Sequence, residues 1–180
     1  MEYFDIVDEN GNPTGEKVER SIAHKNGIPH RTAHVWIVRQ KDDNIEILLQ
    51  KRCMTKDSFP GCYDISSAGH IPAGEDYIPS ALRELEEELG VKATPEELVF
   101  CGDYRTYIIR DFHGEKFVDN QYARIFLLWK DYEETEFCVQ KEEIDSVKWM
   151  KFRTCKESVR NNMIPHCIDI AELEMIEEYL

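Results

Sequence analysis

The stretch that most constrains this chain runs from Gly69 to Val91, GHIPAGEDYIPSALRELEEELGV. From Ile78 onward its apolar positions recur with helical spacing. Ile78, Leu82, Leu85 and Leu89 fall on one arc of a helical wheel turned by about 100° per residue. That stripe predicts a helix packed on a sheet. Gly90 stands where a left-handed residue ends a helix. Glu84, Glu87 and Glu88 share another arc, roughly 100° wide. An acidic run of this kind most often means a solvated helix face, and the helix by itself favours that meaning. Yet carboxylates one turn apart repel, and a hard divalent cation would relieve the repulsion. Oxygen-only ligands suit magnesium or manganese, which keep waters and share substrate phosphates. Arg83 can pair with a neighbouring carboxylate or a phosphate oxygen. Gly69 and Gly74, ahead of the helix, let backbone approach a ligand closely.

The remaining chain bounds the setting. Its 180 residues suffice for one domain with a sizeable core, and we read residues 1–180 as a single unit. No apolar run approaches the 18 or so residues that span a bilayer, and no membrane partner is expected. The start, MEYFDIVDEN, is acidic and lacks a basic segment followed by an apolar one, so no signal peptide is expected. A net charge of −14 argues against a sequence-independent grip on a nucleic acid polymer. It leaves room for a small phosphorylated substrate if a metal neutralises the site. Cys53, Cys62, Cys101, Cys138, Cys155 and Cys167 form no Cys-x-x-Cys pair and no zinc spacing. They read as reduced thiols of a cytoplasmic protein.

Local patterns give a series of elements. Residues 3–20 predict a hairpin around the turn-rich Asp8–Pro13. Residues 21–34 carry His24, His30 and His34, with Gly27 and Pro29 marking a short helix or loop and then a turn. His34 leads into Val35–Val38, a buried-strand pattern, and reads as structural. His24 and His30 are six apart, which is no helical metal spacing. Ile45–Leu49 is a strand returning through Asp42-Asp43-Asn44. Lys51, Arg52 and Lys56 after it are the local basic cluster of an acidic chain: either solvated surface or, for Arg52 and Lys56, a patch that meets substrate phosphates. Tyr63–Ala68 predicts a short strand. Leu98–Cys101 and Tyr104–Ile109 predict two more, followed by a turn at Asp111–Glu115. Gln121–Trp129 should be central, and Val147–Met150 another strand. Helices are expected over 152–160 and 168–180. Trp36, Tyr104, Tyr107 and Trp149 read as core aromatics, with a pocket for a base or apolar tail as the other meaning. Strand runs separated by helices imply an α/β sandwich with a mixed sheet.

The full spacing is Gly69, five residues, Glu75, seven residues, then Arg-Glu-Leu-x-Glu-Glu-x-Gly-Val from Arg83 to Val91. This resembles the Nudix box at every fixed position. The resemblance implies an α/β/α sandwich around a central mixed β-sheet, with the box as strand, loop and helix. It implies an enzyme that hydrolyses a diphosphate joined to another moiety, such as a nucleoside diphosphate derivative, with magnesium or manganese as cofactor. Carried over by position, Glu84, Glu87 and Glu88 become the metal ligands. Arg83 orients a box glutamate, Gly69 offers backbone near metal and substrate, and Glu75 holds the loop. The general base is either a box glutamate or one of Glu142 and Glu143. A homodimer is a family-level expectation.

Three further features are similar to the isopentenyl-diphosphate isomerase branch: His24 with His30-Arg31, the run Pro60–Asp64, and Ala68-Gly69-His70. That likeness implies a second metal on His24, His30 and His70. Two departures count against isomerase chemistry. Ala68 stands at the place of the catalytic cysteine. Asp119-Asn120-Gln121 stands where a Glu-Asn-Glu triplet would, and an amide cannot replace the second acid. Cys62 reads as a small core residue. Hydrolysis is the expectation, with isomerisation or isoprenyl-diphosphate hydrolysis as the alternative.

Overall fold

The computed structural model describes residues 1–112 and 114–180. Among the described residues, nine strands and four α-helices follow one another in chain order. They are β1 (Tyr3–Val7), β2 (Pro13–Glu19), α1 (Arg20–Asn26), β3 (His30–Lys41), β4 (Asn44–Arg52), β5 (Tyr63–Asp64) and β6 (Ser67–His70). Then come α2 (Tyr77–Leu89), β7 (Val99–Phe112), β8 (Glu115–Trp129), β9 (Ile144–Lys151), α3 (Phe152–Arg160) and α4 (Ile170–Glu177). β1 and β2 form the expected hairpin.

The other seven strands make one sheet, ordered β5-β4-β3-β8-β7, with β6 on β3 and β9 on β4. It is mixed because β3 and β8 run parallel, His30 beside Gln121 through Val38 beside Trp129, while the other pairings are antiparallel. β3 and β8 are central, and their side chains alternate between two cores. Ala33, Val35, Ile37, Phe126 and Leu128 pack with Ala81, Leu85 and Leu89 of α2. Trp36, Val38, Ile125 and Leu127 face the other way, onto Phe152, Cys155 and Val159 of α3 and Leu173 and Ile176 of α4. The result is the three-layer α/β/α arrangement expected from the sequence. A third cluster of Phe4, Val18 and Ala23 seats the hairpin and α1.

Three local expectations are corrected. The buried face of α2 is Tyr77, Ser80, Ala81, Leu85, Glu88 and Leu89, while Ile78 is 38% exposed. Capped by Asp76, the helix starts at Tyr77, and the face that packs on the sheet runs in steps of four from Tyr77 to Leu89. With Glu84 at zero, the buried face as a whole is centred near +50°, and Glu88 at about +40° lies in its middle. Second, Val99–Phe112 is one strand rather than two, carried through a register shift between Phe100 and Gly102. Third, Cys62 is half-buried in a turn rather than in a core. The connection after Asp111 includes His113, which lies outside the described residues. All six cysteines are free thiols, and no described helix is long and apolar enough to cross a membrane.

Candidate active site

Strand β6 enters the box with Ser67, Ala68, Gly69 and His70, and strand alternation sends Ser67 and Gly69 toward α2. Glu84 lies directly against the α-carbon of Gly69. A methyl group there would overlap the Cγ, Cδ and Oε1 atoms of Glu84. Glu88, one turn further on, is 8% exposed and accepts a hydrogen bond from Ser67 Oγ at 2.7 Å. Burial pushes the Glu88 carboxyl up to about 8; Ser67 opposes the shift, and the charges of Glu84 and Asp64 add to it. Burial also raises Glu84, against the pull of Arg83. Arg83 sits between two carboxylates, Nη2 at 2.9 Å from Glu84 and Nη1 at 3.0 Å from Glu87.

The structure therefore brings Glu84 and Glu88 together over β6 and leaves Glu87 toward solvent, its side chain 55% exposed. Two carboxyls buried at close quarters are pushed toward their protonated forms even with Ser67 on Glu88 and Arg83 on Glu84. A divalent cation supplies what the burial removes, so the donor set fits magnesium or manganese. Ser67 was not singled out from the sequence. The available signal was its position two residues before Gly69 on a strand, hence on the same face.

A second cluster lies on the other face of β6. His24 of α1, His30 of β3, His70 of β6 and Asp119 of β8 each offer one ligand atom, all within 4.8 Å of one another. His24 Nδ1 is 3.6 Å and His30 Nε2 3.8 Å from Asp119 Oδ1. These atoms and His70 Nε2 are buried with no hydrogen-bond partner. His30 Nδ1 is 2.9 Å from the carbonyl of Ile28, which fixes Nδ1 as donor and leaves the Nε2 lone pair free. Burial keeps the imidazoles neutral, with His24 pushed down to about 3 by burial and then by His30, and His70 held well below its ordinary range. Burial raises Asp119 to about 6. Phe4 stacks on His30 and His70, at 4.8 and 4.7 Å between ring centroids. Four orphaned donors, three nitrogens and one oxygen, fit a borderline cation such as zinc. Asp119 completes a set that the sequence left at three histidines. Its signal was the first acid of the Asp119–Gln121 triplet.

Other expected site residues stand apart. Arg52 bonds Asp64 at 2.9 Å and both the carbonyl and hydroxyl of Ser58. Lys56 pairs with Glu143, and Lys51 lies 3.7 Å from Asp145. The basic cluster is thus matched by acids of this chain rather than presented as free cations. Glu143 is committed to Lys56, and Glu142 is exposed. His34 is structural: it lies 2.9 Å from Glu172, which also accepts from Trp36 Nε1. Burial pulls its titration down, but the charge and hydrogen bond of Glu172 outweigh this and leave it raised. The four aromatics line no common pocket. Trp36 and Trp149 belong to opposite cores, Tyr104 bonds Asp169, and Tyr107 is 61% exposed.

Comparison with known proteins adds independent support for the fold and the box. Residues 28–166 match the NUDIX domain model. Nudix hydrolase 3 of Arabidopsis thaliana is 39% identical over 157 residues, 84% of this chain. An uncharacterized Nudix hydrolase of Clostridium acetobutylicum is 36% identical over 143 residues, 79% of this chain. The matches cover 19% of the Arabidopsis protein and 66% of the Clostridium one, less than two thirds of either relative. A crystal structure of a Deinococcus radiodurans protein superposes with a TM-score of 0.72 at 18% identity, over 96% of both chains. A family match over most of the chain, the intact box and the α/β/α sandwich converge on one assignment: this chain belongs to the Nudix family.

Proposed function

We propose that residues 1–180 act as one Nudix unit, a metal-dependent pyrophosphohydrolase cleaving the P–O–P bond of a small organic diphosphate, such as a nucleoside diphosphate derivative. The observation that carries the reading is the buried pair Glu84 and Glu88 over Gly69 and Ser67. Glu84, Glu88 and the outer Glu87 are the residues that would hold magnesium or manganese. When bound, the cation supplies charge neutralisation for the diphosphate and lowers the pKa of water. Arg83 holds Glu84 and Glu87 in register through its two guanidinium nitrogens. Gly69, by lacking a side chain, leaves the space that the Glu84 carboxylate fills. Ser67 orients Glu88 through the 2.7 Å hydrogen bond, and a box glutamate is the proposed general base. His24, His30, His70 and Asp119 would hold a second cation behind the same strand. Arg52 is proposed to hold the β4–β5 connection in shape through Ser58 and Asp64, and Lys56 to tether it through Glu143.

Hydrolysis is favoured over isomerisation because Ala68 offers only a methyl group and Gln121 an amide, which leaves no acid–base pair to shift a double bond. The test is a magnesium- or manganese-supplemented screen of nucleoside diphosphate sugars, nucleoside triphosphates, dinucleotides and isoprenyl diphosphates, scored for phosphate release and for allylic isomer. Glu84→Gln and Glu88→Gln should each lower turnover on the order of 10³-fold in a folded chain. Wild-type rates in both variants would reject the site. An allylic product without phosphate release would reject hydrolysis.

A further inference from the structure

β7 is the outermost strand of the seven-stranded sheet. β8 pairs with one of its edges, and among the described residues no strand pairs with the other. It is 14 residues long, more than twice the average of about 5–6. Open edges are usually blunted by shortness, proline or inward-pointing charge, because unpaired backbone groups recruit another strand. β7 has no proline, and Tyr107 and Ile109 are exposed along its second half. Alternation sets Arg105, Tyr107, Ile109 and Asp111 on one face, where the Arg105 guanidinium lies over the Tyr122 ring. Tyr104 points to the opposite face and bonds Asp169 beside α4.

We propose that β7 pairs antiparallel with β7 of a second copy of this chain, about a two-fold axis through Ile108. An axis normal to the sheet keeps every side chain on its own face, so residues equally spaced on either side of the centre meet across the junction. With the centre at Ile108, Arg105 meets Asp111 of the second copy, Tyr107 meets Ile109, and each pairing occurs twice. Opposite charges and aromatic–aliphatic pairs directly across a ladder each contribute roughly 0.2–1 kcal/mol. Neighbouring registers forfeit this. A centre at Tyr107 sets Asp103 against Asp111, two like charges, and a centre at Ile109 sets Asp111 against the Tyr107 ring. The self-complementary spacing of a cation, two apolar side chains and an anion selects a copy of the same strand over an unrelated partner. The net charge of −14 per copy opposes association, but beyond a screening length of about 8 Å at physiological salt it is largely masked. The junction would join the two sheets into one.

Light scattering or sedimentation of the full chain at micromolar concentration should give about twice the 21.2 kDa chain mass. Arg105→Asp and Asp111→Arg should each weaken the dimer by at least ~10-fold, since each replaces two attractive pairs with two repulsive ones. The double variant should restore it. Thermal melts check that each variant folds. As a measurement independent of charge, Ile108→Cys should link two copies at position 108 on mild oxidation, located by mass spectrometry of the joined peptide. A monomer at every concentration overturns the proposal. So does a dimer indifferent to both reversals, or one that gives no link at position 108.

Discussion

Two clusters of ligand-type side chains lie back to back across strand β6, and neighbouring residues open them: Gly69 toward the glutamates, His70 toward the histidines. They solve the problem of buried donors in opposite ways. The glutamate side buries groups that are anionic in water, and burial drives them toward the protonated form. A cation must there compete with protons. The histidine side buries groups that are neutral when their lone pairs are available, and burial keeps them so. A cation there finds its histidine ligands ready and competes only with the proton of Asp119, raised by burial to about 6. The first cluster is therefore expected to load more readily as pH rises, while the second needs little help from alkaline conditions. One is sequence-local, three glutamates within two turns of α2; the other gathers residues from four elements.

The contrast can be broken first through Glu88, where the largest effect is expected. Its folded-state pKa is raised from 4.5 to about 8. The folded chain then holds a proton that the unfolded chain has released, so the contribution of this group to stability without metal falls as pH rises from the unfolded value toward the folded one. The loss reaches about 4 kcal/mol. The buried histidines, held below their ordinary range, change stability the opposite way over the same window, so the measurement is the difference between wild type and Glu88→Gln by chemical denaturation: it should shift against the wild type from pH 5 to pH 8, and magnesium should stabilise the wild type more at pH 8. A difference between wild type and variant that does not change with pH would remove the buried carboxyl from the account.

Next comes Gly69→Ala. The added methyl meets Glu84 rather than solvent, so the carboxylate must move by an ångström or more. Turnover should drop about 100-fold while secondary structure by circular dichroism stays intact. Near-normal turnover would mean that the contact does not position Glu84. The smallest effect sharpens the histidine side. Asp119→Asn should lower zinc affinity by calorimetric titration some 10–100-fold. Unchanged affinity would take the carboxylate out of the ligand set.

How far the sequence reached follows the same local-versus-distant divide. The helix, its Gly90 end, the hairpins and the central Gln121–Trp129 strand all rest on spacing and turn residues within about a dozen positions, and they stand. The wheel argument failed at Ile78, which lies in angle between the buried Leu85 and Leu89, because a wheel carries no information on position along the axis: Ile78 stands in the first turn of α2, where Leu82 on the same side is also only partly buried. Lys56 looked free because Glu143, which pairs with it, is 87 positions along the chain, and Arg52 because Asp64, 12 positions on, meets it only through the pairing of β4 with β5.

By itself the sequence determined the family, the sandwich class and three glutamates on one helix, because those depend on intervals along the chain. Only the tertiary structure decided that Glu88 is buried against Ser67, that Glu87 is not, and that Asp119 joins His24, His30 and His70. The physical reason is that burial and donor geometry belong to what packs across the sheet, and β8 reaches β3 in parallel only after some ninety residues of intervening chain.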